Sequence, residues 1–213
     1  MQKSTMNKSE KFWNKLSKNY DKKAKDKTYE QILARTPKYL KADAVLLDFA
    51  CATGLYAIAF SKKVEKIEAF DTSSKMIAIA KNNAKGYDNI SFSQTTLFDA
   101  KYEEGSFDTI LAFNILLYFK DNKEVLNRMN KLLKPNGRII TSTACLKEKR
   151  SFIAVFSGCI IYFLKKIGIL PYLKFLSIVE LKESITRAGF EIVEADILID
   201  KPATEYFIVA QKI

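Results

Sequence analysis

Residues 45–54, which read VLLDFACATG, constrain the fold of this chain more than any other segment. The apolar run Val45–Phe49 predicts a buried β-strand, which leads into a turn of small residues ending at Gly54. A helix is expected over residues 54–63, and its first N–H groups are free to bind a polar ligand. Small residues in such a turn let the backbone approach that ligand closely. The segment therefore predicts a strand–turn–helix unit with a ligand at the turn.

A second apolar segment, Ile67–Phe70, predicts the next strand and is followed by Asp71. In open α/β sheets an acidic residue at this position binds the hydroxyls of a nucleotide ribose. The two segments together therefore indicate a cofactor that contains adenosine. A dinucleotide needs the glycines of G-x-G-x-x-G beside its pyrophosphate, and a P-loop needs G-K-[ST]. The single glycine of this turn, Gly54, disfavours a dinucleotide oxidoreductase.

Strand and helix patterns alternate through the middle of the chain. Further apolar runs predict strands over residues 90–95, 107–113 and 138–143. Helices are predicted over residues 73–84, 121–133 and 178–189. Such alternation predicts a parallel sheet with helices on both faces. The tetrapeptide Lys134–Gly137 predicts a turn ahead of the fifth strand.

A helical region is predicted over residues 8–40, ahead of the sheet. Phe12, Trp13, Leu16 and Tyr20 recur there at three- and four-residue spacing and form an apolar stripe. We expect Phe12 and Trp13 to pack in the core, because large aromatic side chains usually do. Phe12-Trp13 and Tyr20-Asp21 also resemble the F-W-x(n)-Y-D lead-in of small-molecule methyltransferases of the ubiquinone/menaquinone type, and this resemblance implies that Tyr20 lies at the functional site.

The composition excludes several classes of site. The chain has 213 residues, 48% of them hydrophobic, which suits one globular domain with a full core. It has no histidine, so acid–base chemistry must come from carboxylates, Tyr, Cys or Lys. The cysteines (Cys51, Cys145 and Cys159) are too few and too scattered for a disulfide framework or a C-x-x-C metal pair. We therefore expect no metal site.

The positive charge is concentrated in two flanking segments. The net charge is +11; residues 1–43 carry 12 Lys/Arg against 5 Asp/Glu, and residues 146–178 carry 6 against 1. These segments face either an anionic surface or substrate, or solvent alone. The polar, lysine-rich start has no signal-peptide pattern, which predicts a cytoplasmic protein.

The turn resembles motif I of the class I S-adenosylmethionine (SAM) methyltransferases, D-x-G-C-G-T-G. Asp48, Cys51, Thr53 and Gly54 match, while alanines 50 and 52 replace two glycines. The resemblance implies a Rossmann-like, doubly wound α/β fold. Its seven-stranded sheet would be mostly parallel, with an antiparallel C-terminal strand in a hairpin formed by residues 190–199 and 206–211. One domain, 1–213, would carry an N-terminal helical lid (1–43) and a helical cap insertion (146–178).

The same resemblance implies SAM as the cofactor. Asp71 would accept hydrogen bonds from the ribose hydroxyls, and Met76 of the D-x-S-x-x-M pattern would pack on the adenine. Thr96 stands where the family usually has an acid for the adenine amino group, so either its hydroxyl or Asp99 would serve. Leu97 or Phe98 would cover the adenine face. The implied cofactor-binding residues are Tyr20, Asp48, Ala50, Cys51, Thr53, Gly54, Asp71, Thr72, Met76, Thr96, Leu97, Phe98 and Asn114.

The acceptor side is expected after the fourth and fifth strands. The resemblance places Asn114 near the sulfonium and the acceptor and makes Tyr118 the candidate to orient the acceptor. Residues 143–145 would line the same opening. Transfer would be a direct in-line displacement that depends first on proximity and orientation. With no histidine, the acceptor would be a thiol, phenol, amine or activated carbon.

Residues 151–177 are apolar and aromatic, interrupted by Lys165 and Lys166. This pattern is too short and broken for a membrane span. It fits an ordinary buried helix pair, a lid over an apolar acceptor pocket, or an amphipathic patch that makes peripheral contact with a membrane. Phe152, Phe156, Tyr162 and Phe163 would offer an apolar surface, and Lys165, Lys166 and Lys174 would favour an anionic group.

These observations favour a SAM-dependent methyltransferase that acts on a small, hydrophobic acceptor. The positive charge leaves an RNA methyltransferase as one alternative, although no N-P-P-Y-type motif and no Arg-rich RNA-binding segment is present. The replaced glycines leave a non-catalytic SAM-binding protein as another.

Overall fold

The computed structural model describes residues 2–148, 172–201 and 203–213. Seven α-helices lie in these ranges: α1 Gln2–Leu16, α2 Tyr20–Ala24, α3 Lys27–Arg35, α4 Leu55–Phe60, α5 Ser74–Asn83, α6 Asn122–Leu132 and α7 Ile178–Arg187. The strands are β1 Val45–Phe49, β2 Lys66–Asp71, β3 Ile90–Gln94, β4 Phe107–Phe113, β5 Leu133–Cys145, β6 Phe190–Ile199 and β7 Thr204–Lys212. Most of the expected cap insertion, including Cys159, lies outside the described residues.

The strands form one sheet in the order β3-β2-β1-β4-β5-β7-β6. Neighbours from β3 to β5 pair in parallel, whereas β7 runs antiparallel to both β5 and β6. The expected mostly parallel sheet with an antiparallel C-terminal strand is therefore confirmed. Strand β1 lies at the point where the strand order reverses, and ligands of open α/β sheets bind at the carboxyl ends of strands around such a point.

Strand β5 differs from its predicted form. It begins at Leu133 and continues through Lys134–Gly137, so the predicted turn lies within the strand and not before it. Pairing with β4 passes from Phe107–Leu133 directly to Thr109–Arg138, and the extra residues bulge out. Asn136, with φ of 61°, makes this bulge possible because asparagine tolerates the left-handed conformation.

Apolar side chains cover both faces of the sheet. On one face, Leu126 and Met129 of α6 and Leu181 and Ile185 of α7 are completely buried in the same cluster. On the other, Ala57 and Phe60 of α4 pack with the inward residues of β1 and β2. The expected layers of helices on both faces are present, and they fix the ends of β1, β4 and β5 relative to each other.

The N-terminal helices are attached by polar contacts. Asn14 of α1 accepts hydrogen bonds from the Ser73 hydroxyl (2.6 Å) and the Lys75 N–H (3.0 Å) at the start of α5. At the end of α3, Arg35 pairs with Asp196 of β6 (2.7 Å), and Lys38, just after the helix, pairs with Glu194 of β6 (2.6 Å). Helix α1 is therefore attached at the start of α5 and α3 beside β6, while the role of these helices as a lid stays a prediction. Among the residues described, no helix combines the length and apolar character needed to cross a bilayer.

Candidate functional site

The turn after β1 has the left-handed backbone conformation that glycine favours, although alanines stand at positions 50 and 52. Ala50, Ala52 and Gly54 have φ values of 58°, 48° and 82°. Left-handed backbone costs a residue with a Cβ roughly 1–2 kcal/mol, so the surrounding contacts hold the two alanines in place. The Cys51 N–H donates to the Phe70 carbonyl (2.9 Å), and the Gly54 N–H donates to the Cys51 carbonyl (2.9 Å).

Asp71 joins this turn to the end of β2. Its two carboxylate oxygens accept the N–H of Ser73 (2.8 Å) and of Ala52 (3.1 Å). Burial raises the pKa of Asp71, while these hydrogen bonds oppose the rise. The N-cap of α5 is Ser73, whose hydroxyl accepts the Met76 N–H (3.1 Å). The carboxylate is therefore fixed in place for the ribose contact, which stays a prediction.

A cavity of about 740 Å³ lies over the carboxyl edge of the sheet, beneath α1–α3. Five of the predicted cofactor-binding residues line it: Tyr20, Asp48, Ala50, Cys51 and Asn114. The other eight do not: Thr53, Gly54, Asp71, Thr72, Met76, Thr96, Leu97 and Phe98. The structure thus brings together the first part of the turn, Tyr20 and Asn114. Thr53 and Gly54 at the end of the turn lie outside this cavity, as do the six residues predicted near the adenosine.

Asp48 presents an unsatisfied carboxylate to the cavity. The residue is only 2% exposed, and no residue in the described part of the chain donates a hydrogen bond to its Oδ2. Burial raises its pKa to about 7, an N–H donated by Ala57 opposes this, and nearby Asp71 adds to it. A buried acceptor of this kind is costly unless a ligand supplies a donor or a positive charge.

Helices α1 and α2 contribute two aromatic side chains to the site. Tyr20 lines the cavity, and its pKa is raised, first by burial and then by Asp71, Tyr118, Asp48 and Asp21. The prediction of core packing was wrong for Trp13, which lines the cavity and makes an edge contact with the Tyr118 ring at 5.4 Å. Asp21 of α2 accepts a hydrogen bond from the Thr53 hydroxyl, so α2 contacts the turn after β1 directly.

The segment after β3 lies away from the cavity. Met76 and Leu97 are buried at 1% and 2% exposure, and Phe98 is 44% exposed. The Asp99 carboxylate accepts hydrogen bonds from Thr95 and from the Lys101 N–H within its own loop, which disfavours it as the group that reaches the adenine. Contacts of Met76, Thr96, Leu97 and Phe98 with adenine stay predictions.

On the acceptor side, Asn114 connects three strands. It has a φ of 51°, its N–H donates to the Ser142 carbonyl (2.7 Å), and its side-chain oxygen accepts the Ala144 N–H (3.2 Å). Its side chain also lies near Glu205 of β7 and lowers the pKa of that carboxyl. The expectation for residues 143–145 was wrong at Thr143 and Cys145, which are buried, and only Ala144 lines the cavity. Tyr118 is near Tyr20 but not at the cavity wall, so its catalytic role stays a prediction.

Glu205 was not predicted. It is buried at the start of β7 and lines the cavity beside Asn114. Its only sequence signal is an acid at the start of an apolar strand, and antiparallel pairing with β5 brings that position to the carboxyl edge of the sheet.

The remaining cavity wall is aromatic with a cationic rim. The rings of Tyr56 and Phe113 lie 4.6 Å apart, and Tyr29 lies 5.3 Å from Tyr56. The lysines that line the cavity are Lys15, Lys23, Lys27 and Lys201. The site therefore combines a carboxylate-rich floor with an apolar wall.

Comparison with known proteins agrees with this geometry. The chain is 28% identical to a demethylmenaquinone methyltransferase of Staphylococcus carnosus over 162 residues, covering 72% of this chain and 66% of that protein. It thus spans slightly less than two thirds of that relative. A Methanosarcina mazei SAM-dependent methyltransferase structure matches with a TM-score of 0.68 at 17% identity, covering 83% of this chain and 95% of the other. A Streptomyces coelicolor geranyl diphosphate C-methyltransferase, solved with S-adenosyl-L-homocysteine, matches with a TM-score of 0.66 at 12% identity, covering 82% and 74%.

The family model described as "Methyltransferase domain" matches residues 40–166, more than half of the chain. That range contains the strand–turn–helix unit, Asp71 and Asn114. The chain therefore belongs to the methyltransferase-domain family, and it shares the fold of a SAM-dependent methyltransferase of solved structure.

Proposed function

We propose that this chain binds SAM with its methionine end in the 740 Å³ cavity and methylates a small, apolar, aromatic acceptor. The observation that carries the proposal is the arrangement of that cavity, with the unpartnered Asp48 oxygen beside the turn and an aromatic wall opposite. The curated relatives named as demethylmenaquinone methyltransferases support an acceptor of this character.

The residues present fit the cofactor. SAM, when bound, supplies an electrophilic methyl group on a sulfonium sulfur and also carries an ammonium group. Asp48 offers a buried carboxylate oxygen with no partner, which suits either cation. The left-handed turn at Ala50 and Ala52 brings the backbone to the cavity wall. Asp71, held by two N–H donors, still has free lone pairs for ribose hydroxyls.

The chain's own contribution to the reaction is chiefly positioning. Trp13 and Tyr20 of the lid cover the cavity, exclude water and shape the space for the acceptor. Asn114 is held rigidly between β4 and β5, at the expected point of transfer. Such orientation lowers the barrier of a bimolecular displacement. The two reactants lose their translational and rotational entropy when they bind, so this loss no longer adds to the barrier of the chemical step.

Labelled SAM incubated with three acceptor classes tests the proposal: reduced demethylmenaquinone, simple phenols and bulk RNA. We expect label in the aromatic acceptors. Label in RNA alone would favour an RNA methyltransferase. No transfer to any acceptor, together with tight SAM binding, would favour a non-catalytic SAM-binding protein.

Contact with a membrane surface through residues 151–178 is a further part of the proposal. Lys174, the described lysine of that segment, donates its backbone N–H to the Leu117 carbonyl (2.6 Å), so the end of the segment lies beside the acceptor side of the site. Co-sedimentation with anionic vesicles at low and high salt checks this, because each basic residue adds about 1 kcal/mol that salt screens.

The Asp71→Asn variant is expected to bind S-adenosylhomocysteine ten- to a hundredfold more weakly, measured by calorimetric titration. The change removes one charged acceptor, and a hydrogen bond to a charged group contributes about 1.5–3 kcal/mol. The exposed Asp43→Asn change is the matched control and should leave the affinity unchanged. Equal affinities for the two variants would contradict the assignment of Asp71 to the ribose.

A further inference from the structure

Glu205 is a buried carboxyl group on the acceptor side of the cavity. Only 7% of the residue is exposed, although it lines the cavity. It pairs with Ala144 on β5 and with Ile199 on β6, so three strands hold its backbone. Ala144 and Ile199 also line the cavity, which places the carboxyl where an acceptor would sit.

One neutral donor orients this carboxyl group. The Ser142 hydroxyl donates to Oε1, and the nearby Asn114 side chain lowers the pKa of the carboxyl. Asn114 is itself fixed by the Ala144 N–H, so it cannot easily turn away. In the described ranges, no lysine or arginine forms an ion pair with Glu205. A buried, oriented acid without a cation is not a stabilising ion pair, and its burial needs another explanation.

We propose that Glu205 is the general base of the methyl transfer and that the acceptor carries an acidic hydroxyl on an aromatic ring. This inference rests on the proposed function and adds to it the class of acceptor. The absence of histidine from the chain leaves carboxylates among the groups able to serve.

The step balances as follows for a phenolic acceptor. The Glu205 carboxylate takes the hydroxyl proton, and the electron pair released by that O–H bond makes the oxygen and the ring carbon ortho to it nucleophilic. One of these atoms forms the bond to the methyl carbon, and the pair of the broken carbon–sulfur bond stays on sulfur. If carbon is methylated, its own proton returns to the ring oxygen as aromaticity is restored. In both cases one proton remains on Glu205.

The surroundings of Glu205 suit this role. Burial raises its pKa to about 7, the Ser142 hydrogen bond and the nearby Asn114 side chain oppose the rise, and the charge of Asp26 adds to it. The other titratable groups that interact with it are Tyr56 on α4 and Cys145 on β5, and Lys201 lines the same cavity. A base that titrates near neutrality is well matched to proton transfer from a phenol.

Glu205→Gln is the direct test because it keeps the shape and an acceptor for Ser142 but cannot take a proton. With reduced demethylmenaquinone as the probe, we expect kcat to fall about 10²- to 10⁴-fold. Affinity for S-adenosylhomocysteine should stay within about twofold, and Glu205→Asp should restore part of the rate. The wild-type rate should rise as the pH passes about 7, and the glutamine variant should lose that dependence. The exposed Glu191→Gln change on β6 is the control.

A second readout does not depend on methyl transfer. 4-Nitrophenol is coloured only when ionised, so its absorbance reports proton transfer when it binds to the S-adenosylhomocysteine complex. We expect the phenolate colour with wild type and much less with Glu205→Gln at the same pH. Equal absorbance for the two proteins, or an unchanged kcat in the variant, overturns the role of Glu205. Failure of the proposed function is distinguishable, since it would leave both aromatic acceptor classes unlabelled with wild type, whether or not RNA is labelled.

Discussion

Replacing Asp48 with Asn is expected to make the ligand-free protein more stable above about pH 7 and to lower its affinity for SAM. In the fold, the Asp48 pKa is raised from 3.8 to about 7 by burial. Below the lower value the carboxyl is neutral in both folded and unfolded chains. As the pH rises from 3.8 to about 7, Asp48 ionises in the unfolded chain but stays neutral in the folded one, so the free energy of unfolding falls. Above about pH 7 this loss of stability is complete. That penalty is up to about 4 kcal/mol, at 1.36 kcal/mol for each pKa unit.

Melting curves at about pH 5 and about pH 8 measure the first half of this expectation. Asp48→Asn should raise the melting temperature more at the higher pH. Titration with SAM measures the second half, and we expect at least about a tenfold loss of affinity because the cation loses its charged partner. Asp43→Asn, on the exposed surface, should change neither quantity. A variant that is destabilised at high pH and binds SAM normally would show that Asp48 is structural.

Gly54→Val should strongly destabilise the fold. Gly54 has a φ of 82°, and a Cβ there would lie 2.9 Å from the Phe92 ring and 3.3 Å from the Ala80 side chain. The left-handed backbone costs about 1–2 kcal/mol and the crowding about 1–3 kcal/mol more, so we expect a loss of roughly 2–5 kcal/mol. Chemical denaturation followed by circular dichroism provides the measurement.

Gly86→Ala separates the two causes. Gly86 has a φ of 91° but nothing within 4 Å of its would-be Cβ, so that variant should lose only the cost of backbone strain. The small residues of this turn were expected to let the backbone approach a ligand, but a Cβ at position 54 would point toward β3 and α5. Loss of SAM binding in Gly54→Val should therefore accompany loss of stability. Full stability in that variant would contradict the assigned turn conformation.

The sequence alone determined the local elements of this fold. The predicted bounds of Val45–Phe49 and Phe107–Phe113 coincide with β1 and β4, because each is an apolar run with clear breaks at both ends. Sequence also identified the turn after β1 and the acid at the end of β2, since both depend on residue types at fixed short spacing. It failed at Lys134–Gly137, where pairing with β4 maintains the strand through residues whose local preference is a turn.

Only the tertiary structure decided which side chains meet at the cavity. Trp13 lies at the wall because α1 docks on the start of α5, a contact between residues about sixty positions apart. Glu205 reaches Ser142 and Asn114 because β7 inserts antiparallel beside β5, and no local pattern specifies that pairing. The unpartnered oxygen of Asp48 is likewise a property of the packed site. Periodicity records which face of an element is buried, whereas the neighbours of a buried polar group depend on contacts between distant segments.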